Sequence, residues 1–170
     1  ACSLKSNITG CRNIGLGNSS LCENTTGNDN IAIGNESLKA NTTGIANIAL
    51  GTSANKSNTE GNYNIALGHE ANCSVTTQDY NIAIGYQSLK ANQASSNIAV
   101  GWGTLCRNTT GSTNIALGNF SLRNNTTGNF NVAIGNLALD SNVSGLNNIA
   151  VGYQSLTNNT NGDNNNSIGC

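Results

Sequence analysis

The stretch Asn30-Ile31-Ala32-Ile33-Gly34-Asn35-Glu36-Ser37-Leu38-Lys39-Ala40-Asn41-Thr42-Thr43-Gly44-Ile45-Ala46 decides the fold, because the residues on either side of it repeat it. Asn-Ile-Ala-(Ile/Leu/Val)-Gly, or a close variant, begins at Asn13, Asn30, Asn47, Asn64, Asn81, Asn97, Asn114, Asn131, Asn148 and Asn165, always 17 residues on except for one step of 16 between Asn81 and Asn97. Numbered from that Asn, the unit reads N-I-A-(I/L/V)-G-x-x-(S/A)-L-x-x-N-T-T-G-x-x. Residues 1–12 fit unit positions 6 to 17, so the repeat accounts for the whole chain as one domain, 1–170. A 17-residue period is too short for a helical hairpin and suits one coil of a β-solenoid.

The expected fold is therefore all-β: a parallel β-solenoid (β-roll) of about ten 17-residue coils with two short strands per coil. Positions 2 (Ile31, Ile48, Ile65, Ile82) and 4 (Ile33, Leu50, Leu67, Ile84) alternate with small residues, the period of a strand with one buried face. Those Ile and Leu side chains are expected inside, packed against the position-9 leucines Leu21, Leu38, Leu89, Leu105, Leu122, Leu139 and Leu156. The second strand is placed around that Leu, and Asn-Thr-Thr-Gly closes the coil as turn chemistry. Coils stacked in register lie about 4.8 Å apart, so the position-1 Asn side chains are expected to bond from coil to coil in a ladder. Ala at position 3 (Ala32, Ala49, Ala66, Ala83, Ala99, Ala116, Ala133, Ala150) would then face outward, a flat stripe for lateral contact between solenoids. Asn55 and Asn72 replace Leu at position 9 in adjacent coils, and a bulge is expected between Gly85 and Asn97.

Composition narrows the function. With 34 Asn and 20 Gly among 170 residues, these two types make up about a third of the chain. Charged residues are 9% and the net charge is −1, so no basic surface exists to neutralise nucleic-acid phosphates. No apolar run is long enough for membrane insertion, and no signal peptide is visible; Ala1 in place of Met fits a leader already removed. Six Cys favour an oxidising exterior, so an extracellular or cell-surface location is expected.

Asn30 to Gly44 and Asn114 to Gly128 resemble the head repeats of YadA-like trimeric autotransporter adhesins, and are also similar to phage tail-fibre repeats. The resemblance implies a left-handed parallel β-roll displayed outside the cell, often trimeric and used for attachment to host matrix.

The two ends suggest assembly. The last unit stops after Asn165-Asn166-Ser167-Ile168-Gly169-Cys170, positions 1 to 6, while the first unit begins at position 6. The end of one molecule and the start of another would together make about one coil, with Cys170 and Cys2 at adjacent corners and within disulfide reach. An interface of that kind is heterologous and grows a filament. Cys22, Cys73 and Cys106 share position 10 but lie three and two coils apart, about 14 and 10 Å, which exceeds disulfide reach. Cys11 with Cys22 is the best local pair, and free thiols or bonds to another chain are the alternatives.

Asn7, Asn24, Asn41, Asn108, Asn125 and Asn142 are Asn-x-Ser/Thr sequons at position 12, open to reading as glycosylation acceptors or as turn residues. His69, Tyr86 and Trp102 share position 6 in successive coils, a column that would stack on a sugar ring or a partner chain, or simply on itself. One His, eight scattered acids and serines at repeat positions supply no nucleophile, base and orienter set. No phosphate loop, metal-ligand spacing or calcium repeat is present, so neither an enzyme, a metal site nor a cofactor is expected. Ice binding finds no Thr-x-Thr array on one strand. The leading expectation is a filament subunit joined head to tail with itself, and the alternative is an adhesin or tail-fibre segment that binds carbohydrate or host matrix.

Overall fold

The computed structural model describes residues 2–170. Ala1, on which the leader expectation turns, lies outside the described residues. Ten three-residue strands form one parallel sheet in sequence order: β1 (Ile14–Leu16), β2 (Ile31–Ile33), β3 (Ile48–Leu50), β4 (Ile65–Leu67), β5 (Ile82–Ile84), β6 (Ile98–Val100), β7 (Ile115–Leu117), β8 (Val132–Ile134), β9 (Ile149–Val151) and β10 (Asn166–Ile168). Register follows the repeat, with Ile31 opposite Ile48, Ala32 opposite Ala49 and Ile33 opposite Leu50. The missing residue of the 81–96 coil is absorbed outside the strand, so Ile82 still meets Ile98. The molecule is a β-solenoid with one coil per repeat, and among the described residues no helix is long and apolar enough to cross a membrane.

Each coil holds one strand rather than two. The Leu segment cannot extend, because positions 7 and 9 both take left-handed backbone: Glu36 has φ 56° and Leu38 φ 45°, and the other coils repeat this. Position 17 does the same, as at Asp29 (φ 60°). For a residue other than glycine that conformation costs about 1–2 kcal/mol. Full burial of a Leu side chain returns roughly 1.5–3 kcal/mol, which is why Leu is held there, with Leu21, Leu38, Leu89, Leu105, Leu122 and Leu139 all fully buried.

The buried face is the opposite of the one expected. Position-3 Ala side chains, from Ala32 to Ala150, are fully buried, while the position-2 and position-4 residues point outward. Ile84 is 36% exposed, Ile134 38% and Ile149 42%. Alternation fixes which residues share a face but not which face is inside, and a 17-residue coil is too narrow to take two branched side chains against Leu. A methyl group fits, so the apolar core is an Ala column packed on a Leu column.

The rest of the interior is polar. Position-1 Asn from Asn30 to Asn148 and position-12 Asn from Asn24 to Asn142 are fully buried, with Val75 the exception in the second column. At position 1 the ladder has the expected form: Asn47 Nδ2 donates to Asn30 Oδ1 (3.1 Å) and to Gly61 O (2.8 Å), while Asn47 N donates to the same Asn30 Oδ1 (3.0 Å). A second ladder, not foreseen in the sequence, runs through position 12, where Asn41 Nδ2 reaches Asn24 Oδ1 (2.7 Å) and Gly44 O (3.0 Å). Gly at position 5 lets the coils close on each other: at Gly34, φ 134°, a Cβ would lie 2.6 Å from Gly51 O.

Two outcomes follow. Asn114→Ala removes the bonds to Asn97, Asn131 and Gly128 and is expected to cost about 3 kcal/mol or more, since buried partners are left unpaired; Asn18→Ala, on the exposed surface, serves as the neutral control in denaturant unfolding. Gly34→Ala is expected to lose about 3 kcal/mol by the same measurement, through backbone clash and positive φ together.

Candidate assembly interface

Four surfaces are relevant to function: the outward sheet face, the aromatic edge, the position-10 edge and the two ends of the rod. The sheet face carries two parallel columns of Ile, Leu and Val through all ten strands, broken only by Asn166. At about 4.8 Å per coil it is roughly 40 Å long. That makes these columns, and not the buried Ala stripe, the flat lateral surface.

On the edge that follows each strand, His69 stacks on Tyr86 with ring centroids 5.4 Å apart, Tyr86 meets Trp102 edge-on at 6.4 Å, and Trp102 tilts against Phe120 at 4.7 Å. The Arg123 guanidinium sits 4.9 Å above the Phe120 ring. Phe120 reaches into the row because Gly103 leaves the space its ring occupies. Tyr63 and Tyr80 make a separate stack, 5.3 Å apart and nearly parallel, at position 17. The column His69, Tyr86 and Trp102 was legible in the sequence; Phe120, Arg123 and the tyrosine pair were missed, although Tyr63 and Tyr80 stand 17 residues apart. Tyr86 and Trp102 are about half exposed, yet each ring already has ring neighbours.

Position 10 alternates thiols with charges: Cys22, Lys39, Lys56, Cys73, Lys90, Cys106, Arg123, Asp140. Glu36 takes both Lys56 (2.7 Å) and Lys39 (3.0 Å), which hold its carboxyl below the usual range, and Lys90 does the same for Glu70 (2.8 Å). Arg123 grips Asp140 with two bonds of 2.9 and 2.8 Å, one coil on. Opposite charges 17 residues apart were the signal for that pair.

All six cysteines are free. Cys11 and Cys22, the expected local pair, lie against different neighbours: Cys11 N bonds Asn28 Oδ1 at position 16, whereas Cys22 O accepts from Ser6 N. The coil places positions 10 and 16 on separate corners, so the pair is not formed. Burial pushes the Cys73 and Cys106 thiols up from their ordinary range. Cys2 and Cys170 are exposed at opposite ends of the rod.

The sequons resolve in favour of turn chemistry. Asn24, Asn41, Asn108, Asn125 and Asn142 are fully buried, and the Nδ2 that would carry a glycan is spent on the ladder. Asn7 alone of the six is exposed, although its Nδ2 still bonds Gly10 O (2.8 Å). Among the described residues there is no cluster of three His, Cys, Asp or Glu able to hold a metal ion.

Maleimide labelling of the folded, reduced protein at pH 8 should modify Cys2 and Cys170 well before Cys73 and Cys106. A raised thiol pKa leaves less thiolate at a given pH, so labelling of the last two should keep climbing with pH above the range where an ordinary thiol has levelled off. Equal rates at all four would show that burial does not control them.

Comparison with protein-family models, with curated proteins and with solved structures gives no match to this chain.

Proposed function

We propose that this chain is a structural subunit of an extracellular filament that grows head to tail. The observation that carries this reading is the sameness of the coils. Every step of the sheet from β1 to β10 uses the same register and the same bond from the position-1 backbone N–H to the amide oxygen of the coil before, so the face that ends the rod is complementary to the face that begins it.

Continuing the pattern across a junction assigns each bond. Asn30 N donates to Asn13 Oδ1, Ile14 N to Asn30 O, and Gly34 N to Leu16 O. By the same rule Asn165 Oδ1 accepts from Asn13 N of the next copy, Asn166 N donates to its Asn13 O, and Ile168 O accepts from its Gly17 N. An open ladder edge is a template for pairing, and a non-closing contact of this kind propagates. The exposed Cys170 and Cys2 then meet at the shared coil, where loss of two protons and two electrons to an external oxidant seals the joint.

The outward sheet face supplies a lateral contact with a second copy. Two apolar columns roughly 40 Å long make one contiguous apolar strip, and a surface of that kind is commonly covered by a partner. The adhesin reading draws on the half-exposed Tyr86 and Trp102. Tyr86 is already stacked on His69 and Trp102 already tilts against Phe120, which leaves less ring face for a sugar and favours the filament.

Gly169→Ala separates the readings. Nothing lies within 4 Å of a Cβ at Gly169, whereas at Gly152 the same atom would strike Gly169 O. At φ 122° the new side chain is strained, but one residue from the end of the chain that strain is local. The variant is therefore expected to fold as a monomer with only a small drop in unfolding midpoint, yet to form no filaments in electron micrographs, because its methyl meets Gly17 of the next copy. Wild-type material should give a ladder of multimers on non-reducing gels that collapses with reductant, and Cys2→Ser should remove the ladder. Filaments from Gly169→Ala equal to wild type, or a wild type that stays monomeric or trimeric, would overturn the head-to-tail junction.

A further inference from the structure

The coils are alike except in one place, where several irregularities coincide. Between the coil 64–80 and the coil 81–96 the segment 74–77 of the closing turn loses its backbone links. In the preceding coil Ser57 N bonds Cys73 O (3.2 Å), and Thr59 N and Glu60 N bond Thr76 O (2.8 and 3.2 Å). One coil later Thr76 N and Thr77 N instead turn back onto Gln78 Oε1 of their own coil (3.0 and 3.1 Å). Lys90 O, the expected acceptor for Ser74 N, receives Cys73 Sγ at 3.5 Å. Among the described residues no backbone bond ties 74–77 to the coil above; Gln93 Nε2 bonds Ser74 O, and the corner beyond keeps Ser96 N on Asp79 O (3.1 Å) and Asp79 N on Ser95 Oγ (3.0 Å).

Inside, the same joint is defective. Val75 stands where every other coil has the position-12 Asn, so Asn58 Oδ1 finds no donor. Asn92, on the far side of Val75, bends to Ala94 O (2.7 Å). Asn55 and Asn72 interrupt the Leu column and bond each other at 3.2 Å, leaving Asn55 Nδ2 and Asn72 Oδ1 unpaired, and Asn81 Nδ2 is unpaired as well. All four buried side-chain polar atoms without a partner among the described residues fall between 55 and 81.

The strand side of the joint is intact. β4 pairs with β5 in full register, Gly85 N bonds Leu67 O (2.7 Å), Gln87 N bonds His69 O (2.9 Å), and Asn72 N bonds Ser88 O (2.9 Å). The His69–Tyr86 stack and the Glu70–Lys90 pair lie on that side as well.

We infer that the rod carries one built-in bending joint near its middle, which opens on the Val75 side with the β4–β5 pair as its flexure. In a linear repeat, stability is a sum of nearest-neighbour terms, so the interface with fewest bonds opens first. Two stiff half-rods, 2–80 and 81–170, follow from this. The inference concerns the single chain and does not depend on filament assembly.

Hydrogen exchange of the intact protein tests it. Amides of Ser74, Thr76 and Thr77 should exchange about 10-fold or more faster than the equivalent Ala40, Thr42 and Thr43, while Ile65, whose amide bonds Asn81 O across the flexure (2.8 Å), keeps the protection of Ile48. Protection at 74–77 equal to that at 40–43 would overturn the joint, and so would loss of protection at Ile65, since a flexure must stay paired. Val75→Asn re-supplies a donor to Asn58 and is expected to slow exchange at Thr76 and Thr77; exchange unchanged in a folded Val75→Asn protein would overturn the assignment of the opening to the broken ladder.

Discussion

A buried primary amide is costly unless both of its hydrogens and its oxygen are engaged. Stacking the same Asn directly above itself meets that condition with a single residue type. One Nδ2 hydrogen goes to the Asn of the neighbouring coil, the other to a backbone carbonyl of its own coil, and the oxygen is filled by the next amide along. The arrangement works only if neighbouring coils are in register, so the amides enforce the 17-residue period as strongly as any apolar contact. Two such columns in one narrow coil explain a composition that would otherwise predict disorder.

That interior has a consequence for polarity. With two Asn, a Ser and an Ala lining most of each coil, only Leu at position 9 is a large apolar residue inside. The branched side chains that would fill the core of an ordinary sheet are displaced to the outside, where they form the apolar columns. The molecule is wet-type inside and oily along one face, and association is the natural way to shield that face.

Much of this was legible in the sequence. Period, coil count, strand positions, parallel order and the position-1 ladder followed from Asn-Ile-Ala-x-Gly and its spacing. The inward face was not, because alternation at Ile31, Ala32 and Ile33 is symmetric about the sheet and the choice depends on coil width. The second strand failed at Glu36 and Leu38, whose left-handed backbone no propensity suggests; the strain is visible only once the Leu is seen to be buried. The sequons misled because Asn-Thr-Thr-Gly satisfies a glycosylation pattern while its Asn points into the interior. Val75, by contrast, was present in the sequence as a break in a column whose role was unknown until the second ladder was seen.

Both amide columns have a direction. In each Asn-to-Asn bond from Asn24 to Asn159 that stays in the position-12 column, the donor belongs to the later coil and the acceptor to the earlier one. The side-chain dipoles therefore add along the axis in the manner of peptide dipoles in a helix, and polarise one another along the chain of bonds. The rod is electrically asymmetric despite its near-zero net charge: N–H groups face outward at the end that holds Asn7, and C=O groups at the end that holds Asn159. Two rods lying side by side are attracted when they run in opposite directions and repelled when they run in the same one, so lengthwise joining and sideways bundling favour opposite relative orientations.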